Sequence, residues 1–538
     1  MSKRPDFAQS FSQMAIAAGL TVLLLRAMAS GLSYHVSPDG SDSNDGSEGS
    51  PFLTITRAAG VVQPGDIVYI ANGVYRENVP ITTSGTESAP IVFIGESTEG
   101  VIIDAEGTRR HCIEAYGIDY VHLKKLTARG AICESGQDEA IQIKWLDSIP
   151  TGEPDVFEKD TADGWVLEDL LAEDNIGRGI FLIGTRNFVA RRIVAQHNFA
   201  TGFGGSANWN LHISDCICRW NNEGLDYNPY DSEHQQGVVT PDNSNGVGKS
   251  MIGKYQLAGS FEAGGGKFLR AKGMLVERHL AYENYGNGMW FDAWNENVVI
   301  KDSHFYGNKG VRYNWEGAGL MLELNNVGPI EVNNCYFHDN VGSDFLVAES
   351  QNITLVNSLV KGKIELRDMD DRESQDPTLI IAHLRAESNV FQNCNIAGSL
   401  DVHDWSKSKI QARDVMFDHN VWQGSTPKVS NINRNTYTGF DAIRNGTGWA
   451  MNSTTSSDWD EWSMPDAPVA IRPARPARAA SVFAPVRPNA LVFDLRGRLI
   501  SSPEGSGRAF TTGDLRCCAP GVYISRARAM QATRQARF

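Results

Sequence analysis

The chain of 538 residues lacks several things, and each absence removes a class of protein. No long stretch repeats apolar residues every three to four positions, which excludes a helical bundle. The longest apolar run, 15–25, is too short to span a bilayer. The eight cysteines (112, 133, 216, 218, 335, 394, 517 and 518) contain no pair of C-x-x-C motifs, so a structural zinc site is not expected. Cys216 and Cys218 fall two apart on one strand, with Cys335 at a similar strand position, and are read as buried free thiols. Basic charge is short as well. Acids number 64 against 49 Lys and Arg, giving −15 overall. From Ile471 onward there are twelve Arg, no Lys and three acids, so the preceding body carries about −24. Phosphate binding needs a basic face, and nucleic acid is therefore not an expected partner.

What is present is a repeat. Asn175, Asn198, Asn221, Asn284, Asn308 and Asn340 each close a short alternating segment. Successive members fall 23 or 24 residues apart where nothing intervenes. That period, built from short strands and Asn/Gly turns, marks a solenoid. Leucine-rich repeats share the period but need a Leu lattice, which is missing. Asn suits such turns because it tolerates left-handed φ and bonds locally, and stacked Asn side chains can bond to one another. The fold class expected is all-β: a right-handed parallel β-helix over 30–439, with 30–105 as cap and first coils. Two insertions break the period, at 155–164 and 227–263; long loops on a rigid scaffold commonly carry function. A linker is expected over 440–489 and a small β domain over 490–538.

Within 262–340 two units share one layout: Gly288 leads to Asp292, and Gly319 to Glu323, each followed by a strand ending in Asn. The acids are 31 residues apart, seven more than a coil, and the segment KGVRYNW (309–315) supplies those seven as a bulge. Removing it puts the acids in register on adjacent coils, roughly 4.8 Å apart. Such a spacing suits the two carboxyls of a retaining glycosidase. Lys267 lies about one coil before Asp292 and is expected near the same column, to bind substrate or act as a base. The aromatics Tyr227, Tyr285, Trp290, Trp294 and Trp315, together with Glu262, are the expected substrate-binding set, because sugar rings pack on aromatic planes. His304 and His338 are read as ordinary strand residues.

Several stretches resemble known families. SYHVSPDGSDSNDGSEGSPFLTITRAAGVV through DIVYIANGVY (roughly 34–105) resembles the capping segment of secreted parallel β-helix proteins, including polysaccharide lyase families 6 and 9. Gly288-Met289-Trp290-Phe291-Asp292 and Leu322-Glu323-Leu324, with Gly328-Pro329 after, resemble glycoside hydrolase family 120. That likeness implies Asp292 as nucleophile and Glu323 as acid/base, although Asn325-Asn326-Val327 stands where the family has a His. Asn222-Glu223-Gly224-Leu225-Asp226, then Gly264-Gly265-Gly266-Lys267, resemble the calcium cluster and catalytic lysine of lyase family 9. This implies Glu223 and Asp226 as Ca2+ ligands and Lys267 as base, with one acid replaced by Asn222. A run from Phe493 to Leu499 and Gly521-Val522-Tyr523-Ile524 resemble type IX-like secretion sorting domains.

The N-terminus pairs Lys3 and Arg4 with the apolar run and Ala27-Met28-Ala29, a pattern of a cleaved signal peptide over 1–29. The expected protein is a secreted or cell-surface monomer acting on a polysaccharide or oligosaccharide, exported through secretion machinery by its C-terminus. The hydrolase needs no cofactor, whereas the competing lyase uses Ca2+. A non-catalytic glycan-binding solenoid is the third reading, since a fold does not fix a function.

Overall fold

The computed structural model describes residues 31–457, apart from 133–138, 145–161, 223–239, 242–249, 253–254, 258–263, 311–316, 369–379, 401–411 and 433–434, and three strands beyond 490. Two compact units divide the chain at Pro473 and Ala474. The second contains a three-stranded antiparallel sheet of Leu491–Phe493, Leu499–Ser501 and Tyr523–Ser525. Thr240–Pro241, Ser250–Ile252 and Tyr255–Leu257, inside the long insertion, form another antiparallel sheet.

In the first unit the chain winds as a parallel solenoid, each regular coil giving three short strands. One coil supplies Asn287–Asp292, Val298–Lys301 and His304–Tyr306; the next supplies Leu320–Glu323, Ile330–Asn333 and Tyr336–His338. Each strand pairs in parallel with its counterpart one coil on. The alternating sequence explains the packing, because successive side chains point to opposite faces. Phe268, Phe291, Phe305, Phe337 and Phe345 point inward and fill the core. Phe305 and Phe337 stack at 5.2 Å and Phe268 and Phe291 at 5.9 Å, so rings from adjacent coils pack directly on one another. The N-terminal end begins with the helix Ile55–Ala59, capped by Thr54, whose hydroxyl accepts from the Arg57 amide.

The asparagines explain the coil's corner. Nδ2 of Asn175, Asn198, Asn221, Asn284 and Asn308 each donates to Oδ1 of the next, at 2.8–3.0 Å, and Asn340 ends the series on Asp344. From Asn198 to Asn308 the same Nδ2 also donates to a backbone carbonyl, so neither amide hydrogen is idle. The recurring glycines follow from this ladder. A Cβ on Gly179, Gly202, Gly265, Gly288 or Gly319 would come within 2.2–2.8 Å of a backbone carbonyl one coil on, and also against a ladder amide. A glycine at the start of each site-bearing strand is thus a steric requirement of the Asn corner.

The buried free thiols expected at Cys216, Cys218 and Cys335 are found; Cys133, Cys517 and Cys518 lie outside the described residues. One boundary differs from expectation. Past 439 the chain forms a helix, Phe440–Thr447, and then Thr454–Ser456, which pairs in parallel with Val421–Gln423. Solenoid pairing therefore runs into the stretch read as linker. A Ser/Thr/Asp-rich composition makes that stretch read as linker, but an edge strand of three residues needs little apolar sequence. No helix among the described residues is long and apolar enough to cross a membrane.

Candidate active site

One of the three sheets carries the candidate chemistry. Its strands include Glu139–Lys144, Arg178–Ile183, Phe203–Ser206, Gly264–Leu269, Asn287–Asp292, Leu320–Glu323 and Phe345–Ala348.

Asp292 and Glu323 are register partners on neighbouring strands. Phe291 and Leu322 beside them point into the core, so both acids project outward from the same sheet. The expected alignment of the two acids holds. Glu323 is buried to 5% exposure, whereas Asp292 is half-buried. The strand spacing puts the two columns of side chains roughly 4.8 Å apart.

Lys267 joins them, but not from the expected column. Its register partner is Trp290, while Asp292 is opposite Leu269. The coil here is 23 residues, and the Gly264-Gly265-Gly266 run concealed where the strand begins. From its position two residues along, Lys267 reaches diagonally and places Nζ 2.9 Å from Asp292 Oδ2. The same Nζ lies 3.7 Å from the centroid of the Trp290 ring. The ammonium is thus held between an aromatic face and a carboxylate, and this fixes its direction.

Trp290 is corrected in role. It is buried at 4% exposure with Ala318, Met321 and Leu346, in an apolar cluster separate from the core. A ring enclosed in that way supports Lys267 from below and offers no open platform to a sugar. Trp294, two residues beyond Asp292, is 42% exposed and does offer one. Tyr285 is half-buried two residues before the strand Asn287–Asp292, with Lys309 Nζ 5.0 Å from its ring. Trp315, Tyr227, Glu262, Glu223 and Asp226 lie outside the described residues. Among the described residues, no group of three or more His, Cys, Asp or Glu is arranged to hold a metal ion.

The face continues past Glu323 through Ala348 to Arg367, and past Met321 through Leu346 to Glu365. Burial would raise the Glu365 carboxyl, but the charges of Arg367 and Lys363 outweigh it and hold the group down at about 2. Sequence reading missed this charged cluster. Its residues sit inside one ten-residue strand, Leu359–Asp368, that serves two sheets with a register shift between Lys361 and Lys363, hiding the repeat. It also missed a contact between His304 and His338, whose Nε2 atoms lie 2.8 Å apart across adjacent coils. They are diagonal neighbours, so matching positions within the repeat do not reveal them.

Against known proteins, the sequence profile of the Pel9A-like right-handed β-helix region matches residues 34–326, more than half of the chain and the whole of the Lys267–Asp292–Glu323 site. Curated relatives match over shorter stretches. The uncharacterized protein YwoF of Bacillus subtilis (strain 168) is 39% identical over 77 residues, covering 14% of this chain and 16% of that protein. Pectate lyase PEL9 of Emericella nidulans is 42% identical over 74 residues, covering 13% and 18%. The chain thus spans less than a fifth of either relative's length. Among solved structures, XylC in complex with xylose aligns with a TM-score of 0.49 at 12% identity, over 80% of this chain and 86% of that one. Pectate lyase Pel9A aligns with a TM-score of 0.35 at 16% identity, over 76% and 81%. By the profile match, the chain belongs to the Pel9A-like right-handed β-helix family.

Proposed function

We propose that this protein is an extracellular, polysaccharide-degrading retaining glycoside hydrolase with Asp292 as nucleophile and Glu323 as acid/base. One observation carries the reading: the two acids are register partners projecting outward from the same sheet. A separation of roughly 5–5.5 Å is what a double-displacement glycosidase requires. Stacked acids repel one another, and the Lys267 ammonium on Asp292 offsets that repulsion.

In the first step a carboxylate oxygen of Asp292 attacks the anomeric carbon while Glu323 gives its proton to the departing glycosidic oxygen. A glycosyl ester forms on Asp292 and the shortened chain leaves. In the second step Glu323, now ionised, takes a proton from water as that water attacks the same carbon, and the ester bond to Asp292 breaks. Lys267 holds Asp292 through Oδ2, which orients the other oxygen for attack. In this reading the protein is secreted or surface-held and monomeric, to be checked by the N-terminus and the solution mass of the exported protein.

Family membership favours a second reading. In a polysaccharide lyase, Lys267 as free amine removes the proton α to a uronate carboxyl, and the glycosidic C–O bond breaks to leave an unsaturated sugar. The calcium of such a reaction would be held by Glu223 and Asp226. Incubation with a panel of neutral and acidic plant and algal glycans separates the readings. New reducing ends without ultraviolet absorbance by unsaturated uronates support the hydrolase. Absorbance that a chelator abolishes supports the lyase. Binding without any product supports a non-catalytic solenoid and removes both.

A further inference from the structure

Among the described residues, four cations, Lys267, Arg270, Lys272 and Arg278, lie within a dozen residues of the site strand Gly264–Leu269. Three are paired: Lys267 with Asp292, Lys272 with Glu296 at 3.3 Å, and Arg278 with Asp215 and Glu277 at 2.8 and 3.1 Å. Arg270 is not. Among the described residues its side chain meets no carboxylate and makes no hydrogen bond, although the body of the chain is rich in acids. Instead its guanidinium carbon stands 5.0 Å from the centroid of the Trp294 ring.

The place of this pair is specific. Arg270 follows Leu269, the register partner of Asp292, and its amide donates to the Ala293 carbonyl at 3.0 Å. Trp294 follows Ala293 and is the one exposed Trp among the described residues. Both side chains therefore leave the turn directly beyond the nucleophile. A guanidinium has a planar fork suited to a two-oxygen anion, and stacking on an indole restrains it without using its donors. Where other cations nearby are neutralised internally, this one is presented.

We infer that Arg270 and Trp294 form a substrate subsite for a sugar bearing an anionic group, a carboxylate or a sulfate. Trp294 packs against the apolar face of the ring, and Arg270 takes the anion. The inference rests on the glycan reading of Asp292 and Glu323, and it makes the pair a determinant of which glycan is accepted.

Calorimetric binding in an Asp292→Asn background, where turnover cannot consume the ligand, tests it. The probes are uronate oligosaccharides, neutral oligosaccharides of equal length, and sulfated neutral oligosaccharides. An anionic class should bind at least about tenfold tighter than the neutral one, and the class that does so identifies the anion. Arg270→Gln should remove that preference, Arg270→Lys should recover only part of it, and Trp294→Ala should weaken acidic and neutral ligands alike. Unchanged melting temperatures confirm that these surface variants fold. Neutral ligands bound as well as anionic ones, or an Arg270→Gln variant that binds like its parent, would reject this subsite and leave the glycan reading standing. Failure of every saccharide to bind would reject both.

Discussion

Lys267 Nζ meets Asp292 Oδ2 at 2.9 Å although the two residues are not register partners, the lysine standing opposite Trp290. The contact is a diagonal across one strand spacing, and Trp290 supports it by closing the space beneath the ammonium. Lys267→Met keeps most of the apolar stem but leaves Asp292 without its partner. For the hydrolase, kcat should fall about 10–100-fold with product chemistry unchanged. If Lys267 is instead the base of an elimination, the same variant has no measurable turnover and no unsaturated product.

The carboxyl pair makes a sharper demand. Glu323→Gln should lower kcat by about 10²–10⁴-fold on natural glycans. The loss should be smaller on aryl glycosides, whose leaving group needs no proton. Asp292→Asn should abolish turnover on both. Full activity in either variant would remove the two-acid mechanism, and mass spectrometry of trapped fluoro-sugar adducts would locate the covalent bond.

The solenoid was legible because its physics is repetitive. Asn at a fixed interval and Gly at the start of the site strand both answer to one crowded corner, so their spacing survives in the sequence even where loops intrude. The alignment of Asp292 with Glu323 followed from that spacing once the surplus near 309–315 was set aside. The position of Lys267 did not follow, because three consecutive glycines leave no alternating pattern to mark where its strand begins. Burial was also illegible. Trp290 and Trp294 share an outward parity with Asp292, and only the fold separates a ring packed on Met321 and Leu346 from one in solvent.

The Asn corner can be tested through stability. Asn284→Ala removes the acceptor for both the backbone amide and Nδ2 of Asn221, and the donor to Asn308. Each buried polar group left unpaired costs about 1–3 kcal/mol. The melting temperature should therefore drop clearly. Val327→Ala, an exposed change on the next coil and outside the ladder, should leave it within about 1 °C. Equal melting temperatures for the two variants would remove the ladder as a source of stability.

His279 gives the fold a pH dependence of definite sign. The imidazole is fully enclosed beside Phe305 with neither ring nitrogen paired, and burial pushes it down to about 4. In the unfolded chain it titrates near 6.5. Between those values the unfolded state binds the extra proton and the folded state does not, so stability rises with pH across this window. The contribution is complete above about pH 6.5 and is lost as pH falls toward 4, on the order of 3 kcal/mol. Asp344 works in the opposite direction: burial raises it to about 7, so its contribution is present in acid and lost as pH rises from about 4 to about 7. A single melting curve would mix the two, and the comparison must be between variants. His279→Leu removes only the histidine, so its melting temperature should fall less than the parent's between pH 7 and pH 4.5. Parallel pH profiles for the two proteins would mean that His279 is protonated, or reached by water, in the folded state.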